Sequence, residues 1–213
     1  MKRIPRALIY DFDGVICDSV EIKTEAFQEL FKHNGIEIQS QIKKYHLSNG
    51  GVSRFEKIRH IEKIFLGNKI SPVDLAIKAN QFSEMVKEKV INSNYILGAL
   101  EFISKKAKQG KQYICTGTPE NEMIEILEER GIKILFDGIF GSPKPKSEIL
   151  NYLVTKNHFN RADCLFFGDA LTDLEASLKC QIPFCGILNK NTHFPKEVFT
   201  IKNFADKRLM KLF

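Results

Sequence analysis

From Gly98 onward, short apolar segments alternate with longer segments of helical period, and this alternation restricts the chain to few folds. The predicted strands are Gln112–Cys115, Asp137–Phe140, Cys164–Phe167 and Phe184–Ile187. The predicted helices are Ala99–Lys108, Pro119–Arg130, Ser147–Lys156 and Leu171–Lys179. Strands that alternate with helices are typical of a parallel sheet covered by helices on both faces. We therefore predict an α/β fold.

The N-terminal half contributes one more strand and is then helical. Arg6–Tyr10 is a short apolar run that predicts a buried strand. The predicted helices after it are Ser19–Asn34, which Gly35 ends, Ser53–Leu66, and a long helix from Ser71-Pro72 to about Ile91. We predict an α/β core of residues 1–15 and 91–213, with an all-helical domain of residues 16–90 inserted into it.

Composition excludes several classes of protein. Hydrophobic residues make up 43% of the 213 residues, which is enough for a core and argues against disorder. No apolar run approaches the roughly 18 residues of a membrane span, and the N-terminal run is too short for a secretory signal. We expect a cytoplasmic protein. The net charge of +6 is compatible with nucleic acid or with an anionic substrate.

The cysteines predict no disulfide framework. There are five, an odd number, and none forms a C-x-x-C pair. Most stand inside apolar runs, so we expect reduced core residues. Cys17 is the alternative candidate for a catalytic nucleophile.

Polar side chains follow each predicted strand at its carboxyl end, the edge where open parallel sheets bind ligands. The candidates, in chain order, are Asp11, Asp13, Thr116, Lys144, Lys146, Asp169 and Asp173. Clustered carboxylates repel one another unless a cation holds them, and oxygen ligands favour a hard ion such as Mg²⁺. One carboxylate can act as a nucleophile, a second as acid and base, and a lysine and a hydroxyl can hold phosphoryl oxygens.

In order and context these segments resemble the four motifs of the haloacid dehalogenase superfamily of hydrolases. The motifs are D-F-D-G-V, a strand ending in threonine, a lysine before a helix, and G-D-A-L-T-D, and the resemblance extends from Leu8 to about Ile187. It implies a Rossmann-like three-layer core, and the inserted helices resemble the helical cap of the family.

The resemblance also implies a role for each residue of the first three motifs. Asp11 would attack phosphorus, and Asp13 would be the general acid and base and bind Mg²⁺ through its backbone carbonyl. Thr116 and the Gly117 amide would bind the transferring phosphoryl group. Lys146 would neutralise the nucleophile and the phosphate.

In the fourth motif, Asp169 would bind Mg²⁺ directly, and Asp173 would bind it through water or orient the lysine. Together with Asp11 and Asp13, these complete the metal set that we predict.

Neighbouring residues compete for some of these roles. Lys144 competes with Lys146, which we prefer because G-S-P-x-x-K-x-E-I-L resembles one common form of the third motif. Thr118 competes with Thr116, but it precedes Pro119 and is interpreted as a helix cap. We interpret Asp18 and Ser19 as caps of the next helix, with contact to the substrate as the alternative.

The activity within the superfamily is less constrained. The dehalogenase branch lacks the second aspartate of the first motif, so Asp13 favours phosphoryl transfer. Gly50 to Arg54 (G-G-V-S-R) resembles the cap loop that grips a sugar phosphate in β-phosphoglucomutases, which makes Ser53 and Arg54 candidate substrate ligands. Glu56 completes an S-x-x-E capping box that also explains Ser53. The fourth motif differs from that of the mutases.

We therefore predict an Mg²⁺-dependent phosphatase that hydrolyses a small phosphorylated metabolite through an aspartyl-phosphate. A β-phosphoglucomutase-like mutase is the alternative, and a catalytically silent binding protein is a remote one. We expect a monomer or homodimer with no nucleic-acid or membrane partner.

Overall fold

A computed structural model describes residues 5–213, and in it six parallel strands form one sheet in the order β3-β2-β1-β4-β5-β6. The strands are β1 Ala7–Tyr10, β2 Lys111–Pro119, β3 Gly138–Ser142, β4 Cys164–Gly168, β5 Phe184–Ile187 and β6 Thr200–Ile201. The predicted α/β, Rossmann-like fold is confirmed. The two-residue strand β6 was not predicted, because so short a pairing at a sheet edge leaves no periodic signal.

Helices cover both faces of the sheet and form the insert. They are α1 Val20–Leu30, α2 Gly35–Ser48, α3 Arg54–His60, α4 Pro72–Ile91, α5 Ala99–Lys106, α6 Glu120–Glu129, α7 Lys146–Lys156 and α8 Leu171–Lys179. A π-helical turn, Ile61–Phe65, continues α3. Among the described residues, no helix combines the length and the apolar character that crossing a membrane requires.

Strand β1 lies at the centre of the sheet between β2 and β4, and both of its faces are buried. Leu8 and Tyr10 pack into the cluster that continues into the cap, whereas Ala7 and Ile9 face the side of α7. A strand that is buried on both faces has a continuous run of apolar residues, and this run allowed β1 to be predicted from the sequence. Its carboxyl end therefore delivers Asp11 to the edge of the sheet that faces the cap.

Helices α1 to α4 pack against one another as the cap, around a core that includes Phe27, Phe31, Ile42 and Phe82. The boundaries that we gave to the cap, residues 16 and 90, stay a prediction. Residues 1–4, which we included in the core part, lie outside the described residues.

The helix predicted for Ser19–Asn34 is shorter in the structure, and the separate helix α2 was not predicted. Helix α1 ends at Leu30, and a 3₁₀ turn leads to Gly35, whose φ of +81° lies in the left-handed region. The side chains of Asn34 and Gln39 both donate hydrogen bonds to the carbonyl of Phe31, at 3.0 and 2.7 Å. These amides satisfy a backbone acceptor at the end of α1, which allows the chain to turn there.

Candidate active site

Asp11 and Asp13 lie in the turn that ends β1. The Asp11 amide still donates to the carbonyl of Phe167 in β4, at 2.9 Å, so its position belongs to the sheet. Gly14 then adopts a φ of +73°, and a Cβ at this position would lie 2.1 Å from Asp169 Oδ2. The glycine of the D-x-D-G motif is thus required for two reasons, its backbone conformation and the close approach of Asp169.

Three buried carboxylates meet at this edge. Oxygen atoms of Asp11, Asp169 and Asp173 all lie within 4.8 Å of one another. Lys146 Nζ lies 2.6 Å from Asp11 Oδ2 and 2.6 Å from Asp173 Oδ1, and it is itself buried. One ammonium group therefore faces three carboxylates.

Lys146, and not Lys144, lies in this cluster. It is the first residue of α7, directly after Pro145. Lys144 is exposed, and its ammonium lies 5.6 Å from the ring centroid of Tyr152. The preference for Lys146 thus agrees with the geometry, although its role in a reaction stays a prediction.

Thr116 and Gly117 lie in β2, which runs further than the predicted Gln112–Cys115. Thr116 is fully buried, and its hydroxyl oxygen accepts a hydrogen bond from the Thr118 amide at 3.2 Å. A Cβ on Gly117 would lie 2.4 Å from the carbonyl oxygen of Gly51 in the cap. Glycine therefore allows the cap loop to contact the core at this point.

Asp13 has three hydrogen-bond partners that the sequence did not predict for it. Ser19 donates to Oδ1 at 2.6 Å, and the Lys23 ammonium contacts Oδ2. Thr118 lies 3.5 Å from Oδ2 and accepts a hydrogen bond from Lys23 at 2.7 Å. The carboxylate is thus held from both the cap helix α1 and the core strand β2.

These contacts correct two interpretations. Thr118 is not a helix cap: it lies in β2, the N-cap position of α6 is Pro119, and the Thr118 hydroxyl is taken by Asp13 and Lys23. Ser19 does stand at the N-cap position of α1, but its side chain makes no capping hydrogen bond. In both cases the carboxylate of Asp13 competes with the local backbone donors, from six residues away for Ser19 and from a distant part of the chain for Thr118.

The electrostatic environments of the two aspartates differ. Burial raises the pKa of Asp11 to about 6, with Asp173 and Asp13 adding to the rise and Lys146 opposing it. Burial also acts to raise the pKa of Asp13, but the ammonium of Lys23 and its hydrogen bond outweigh this, so the pKa is lowered. Burial and the charges of Asp173 and Asp11 raise the pKa of Asp169 well above its usual value.

The donor set fits a hard divalent cation. Without one, Asp11, Asp169 and Asp173 cannot all ionise cheaply at a buried site with a single lysine, and the pKa values of Asp11 and Asp169 are raised first by burial and further by the neighbouring carboxylates. All candidate donors are oxygen atoms, the type that Mg²⁺ prefers. The residues present therefore suit the predicted Mg²⁺, and within residues 5–213 this cluster offers only carboxylate oxygens as ligands.

Asn189 is a part of the site that sequence reasoning missed. Its side-chain amide donates to the backbone carbonyl and to Oδ2 of Asp169, both at 3.0 Å. Its own oxygen accepts from the amides of Asn191 and Thr192, both at 2.8 Å. A loop asparagine after β5 carries no periodic signal, so only the tertiary contact reveals it.

The cap covers the cluster and encloses a small cavity of about 60 Å³. Its walls combine the carboxylates with basic and aromatic cap residues, among them Lys23, Phe27, His46, Arg54, Lys57 and Phe82. This volume is small, of the order of a few water molecules.

Arg54 faces this cavity but already has a carboxylate partner. Its two terminal nitrogens lie 2.8 and 2.5 Å from the oxygens of Glu122 in α6, and Glu122 also accepts from Ser83 of α4 at 2.6 Å. The guanidinium lies 4.9 Å from the ring centroid of Phe82. The predicted contact of Arg54 with substrate stays a prediction, and it requires Glu122 to share or release the guanidinium.

Ser53 caps α3, as the capping box predicted. Its hydroxyl accepts a hydrogen bond from the Glu56 amide at 3.3 Å. This capping role accounts for the residue without a ligand. A substrate contact by Ser53 stays a prediction.

His46 and Lys57 form a buried pair in the cap that the sequence analysis did not single out. Lys57 Nζ lies 3.0 Å from His46 Nδ1, and burial lowers the pKa of Lys57 to about 7. The spacing of Arg54, Lys57, Ile58 and Ile61 places two basic residues on one apolar helical stripe. A cation on the buried stripe of a helix was the signal that could have revealed this pair.

Cys17 lies in an environment that disfavours a nucleophilic thiolate. It is fully buried, and burial raises the pKa of its thiol to about 12, so the reactive thiolate is disfavoured. All five cysteines are free and buried, as predicted.

Known proteins place this chain in a family. A model of the haloacid dehalogenase-like hydrolase family matches residues 8–187. The chain belongs to the haloacid dehalogenase-like hydrolases. This hydrolase is 26% identical over 180 residues to the phosphorylated carbohydrates phosphatase of Thermotoga maritima, a match that covers 80% of this chain and 79% of the relative.

Solved structures share its fold. A β-phosphoglucomutase from Clostridium difficile superposes with a TM-score of 0.78 at 21% identity, covering 98% of this chain and 96% of that one. A predicted phosphoglycolate phosphatase from Haemophilus somnus gives a TM-score of 0.75 at 18% identity, covering 100% and 99%. The predicted superfamily is confirmed, and the family model and the curated relative both support the predicted enzyme class, a hydrolase of the phosphatase type.

Proposed function

We propose that this hydrolase cleaves a small phosphate monoester through an aspartyl-phosphate, with Mg²⁺ as cofactor. The observation that carries the proposal is the cluster of Asp11, Asp169, Asp173 and Lys146 at the carboxyl edge of the sheet. The Thermotoga maritima relative, whose name specifies phosphorylated carbohydrates, supports a phosphorylated sugar or similar metabolite as substrate.

In the first step, an Asp11 carboxylate oxygen attacks phosphorus and the bond from phosphorus to the ester oxygen breaks. Asp13 must be protonated for this step, although its lowered pKa favours the ionised form, and it gives that proton to the departing oxygen. Lys146 and the Thr116 hydroxyl hold the phosphoryl oxygens, together with the Gly117 amide. The products of this step are the free alcohol and phosphorylated Asp11.

In the second step, Asp13 takes a proton from a water molecule whose oxygen attacks phosphorus. The bond from phosphorus to Asp11 breaks, which releases phosphate and restores the carboxylate. The contact between Lys23 and Asp13 favours the ionised form of Asp13, which is the form that this step needs.

Asp11, Asp169, Asp173 and the Asp13 carbonyl would hold Mg²⁺, which neutralises charge on the phosphoryl oxygens when it is bound. The charge of the bound cation would balance the excess of buried carboxylates over the single Lys146.

Phosphate release from a panel of phosphorylated metabolites, with Mg²⁺ and with EDTA, tests the proposal. We expect metal-dependent release from at least one compound, and its loss in Asp11→Asn with the folded state retained. In a thermal unfolding assay, Mg²⁺ should stabilise the wild type by about 2.7 kcal/mol at a concentration 100 times its Kd. Asp169→Asn should lose this stabilisation, whereas the exposed Asp18→Asn should keep it.

The same panel separates the mutase alternative. Glucose 6-phosphate formed from β-glucose 1-phosphate without phosphate release would identify a mutase. Hydrolysis by Asp11→Asn at the wild-type rate would remove Asp11 as the nucleophile and contradict the proposed mechanism.

A further inference from the structure

Lys57 is a buried cation that faces the cavity of the site without a carboxylate partner. Its side chain comes from the cap helix α3, and the residue is 3% exposed. Its polar contacts are His46 Nδ1 at 3.0 Å and the His46 carbonyl at 3.4 Å. Within residues 5–213, no carboxylate oxygen lies at ion-pair distance from its ammonium.

The other basic residues of the cavity wall differ from Lys57 in this respect. Lys23 is paired with Asp13, and Arg54 is paired with Glu122. A buried charge without a counter-ion is costly, so proteins rarely keep one unless a ligand or partner supplies the opposite charge. Among the described residues no carboxylate supplies that opposite charge to Lys57, and an anionic ligand in the cavity would supply it.

The position of Lys57 indicates where that counter-ion lies. Its ammonium shares one cavity with Asp11 and Asp13, and their charges reach it. The phosphoryl group of a substrate is accounted for by Asp11 and Lys146 on the core side. The cap side, where Lys57 lies, is left for the leaving group.

We propose that Lys57 is a specificity-determining residue, which binds an anionic group, a carboxylate or a second phosphate, on the leaving group of the substrate. This inference rests on the proposed function and deepens it, because it names the charge that the substrate carries. The phosphate ester is then at least bifunctional, with its transferred phosphoryl group at Asp11 and its second acid at Lys57.

The surroundings of Lys57 suit such an anion. Burial is the main reason that the pKa of Lys57 falls to about 7, and an anion against the ammonium would raise that pKa again. Burial and the charge of Lys57 also hold the pKa of His46 well below its usual value, so the imidazole is neutral and accepts through Nδ1. His46 thereby orients Lys57 without neutralising it.

The apolar part of the wall limits the leaving group. Val20, Phe27, Val52 and Phe82 line the same cavity, which is small. A short carbon chain that ends in one acid satisfies both the apolar surface and Lys57.

Binding of matched phosphonates, which cannot be hydrolysed, tests the inference. The probes are alkylphosphonates of two to four carbons that end in a methyl group, a carboxylate or a second phosphonate, titrated calorimetrically with Mg²⁺ present. We expect the wild type to bind one of the acid-terminated series about 10- to 100-fold more tightly than the methyl-terminated series. The carboxylate and phosphonate arms identify which acid is recognised.

Lys57→Met should abolish that preference while binding of the methyl-terminated probes stays unchanged. Lys63→Met, which removes an exposed lysine of the same cap, should retain it. Lys57→Met should also raise the unfolding temperature, because it removes an unpaired buried charge. A merely structural role for Lys57 would instead lower that temperature and leave the preference intact.

Hydrolysis of the corresponding esters separates this inference from the proposed function. We expect Lys57→Met to raise KM for the acid-bearing ester and to change kcat little. Hydrolysis with no acid preference at any chain length would overturn the role of Lys57 and leave the phosphatase proposal standing. An acid preference in binding, with no ester hydrolysed, would support Lys57 and contradict the phosphatase proposal.

Discussion

At the scale of single residues, Lys57 and Lys146 show how carboxylate partners decide whether the pKa of a buried lysine falls or rises. Burial acts to lower the pKa of both lysines. For Lys146, the carboxylates of Asp11 and Asp173 outweigh burial and raise the pKa above its usual value. For Lys57, which has no such partner, the pKa falls to about 7. The same residue type therefore stabilises the site at one position and destabilises it at the other.

The lowered pKa of Lys57 predicts a pH dependence of stability. Between the folded pKa of about 7 and the usual value of 10.5, the unfolded chain binds more protons than the folded one at this residue. Lys57 therefore lowers the free energy of unfolding most at and below pH 7, and this penalty disappears as the pH rises to 10.5. The raised pKa of Lys146 changes the free energy of unfolding only above pH 10.5, which is outside the range from pH 7 to 10.5.

Urea unfolding of wild type and Lys57→Met at pH 7.5 and 9.5 checks this. We expect Lys57→Met to be more stable than the wild type at pH 7.5, with the difference shrinking by about 1 kcal/mol per pH unit as the pH rises. Lys63→Met provides the control. A difference that does not change with pH would show that Lys57 keeps an ordinary pKa in the folded protein.

At the scale of secondary-structure elements, Arg54, Ser83 and Glu122 connect the cap to the core. Arg54 begins α3, Ser83 lies in α4, and Glu122 lies in the first turn of the core helix α6. Burial acts to raise the pKa of Glu122, but the hydrogen bonds and charge of Arg54 lower it, so the carboxylate is ionised. This contact forms only when the cap lies against α6.

A double-mutant cycle measures this connection. Glu122→Gln should lower the free energy of unfolding by about 3 kcal/mol, because it leaves the Arg54 guanidinium buried without a counter-ion. Adding Arg54→Met should recover most of the loss, which makes the two changes strongly non-additive. Chemical unfolding of the single and double variants gives the coupling energy. Additive effects would mean that the two side chains do not interact in solution.

At the scale of the whole molecule, the cap lies against the core, with the carbonyl of Gly51 close to Gly117 beside the carboxylate cluster. The cavity between cap and core has a volume of about 60 Å³, so we expect the cap to move when a substrate binds. The two connections between cap and core run side by side, with Asp18 and Ile96 donating backbone hydrogen bonds to Asn94 and Ile16 at 2.9 Å. This paired linker is the natural position for a hinge.

Gly117→Ala tests whether catalysis needs this closure. The added Cβ would lie 2.4 Å from the Gly51 carbonyl, so the cap loop could not reach its position over the cluster. We expect kcat/KM to fall roughly 100-fold. The free energy of unfolding should change much less, because the core around β2 is untouched. Wild-type kinetics in this variant would show that the Gly51–Gly117 contact is not needed for turnover.

The fold and the core-side acids could be predicted from the sequence because they depend on local patterns. Apolar runs followed by Asp11 or Asp169 mark strand ends, whereas β2 continues past Thr116 to Pro119, and parallel strands bring their carboxyl ends to one edge. Lys146 could be preferred over Lys144 because G-S-P-x-x-K-x-E-I-L resembles one common form of the third motif. The boundary of α1 could not be read, because its end depends on side-chain hydrogen bonds from Asn34 and Gln39.

The partners of the site residues were decided by the tertiary structure alone. Thr118 and Ser19 carry ordinary capping signals, yet both bind Asp13, and Arg54 carries a phosphate-binding signal, yet it binds Glu122. Lys57 carried no signal beyond its place on an apolar stripe. Sequence periodicity specifies which face of an element is buried, but the charge that meets a side chain there comes from residues far along the chain. Only packing of cap on core brings those charges together.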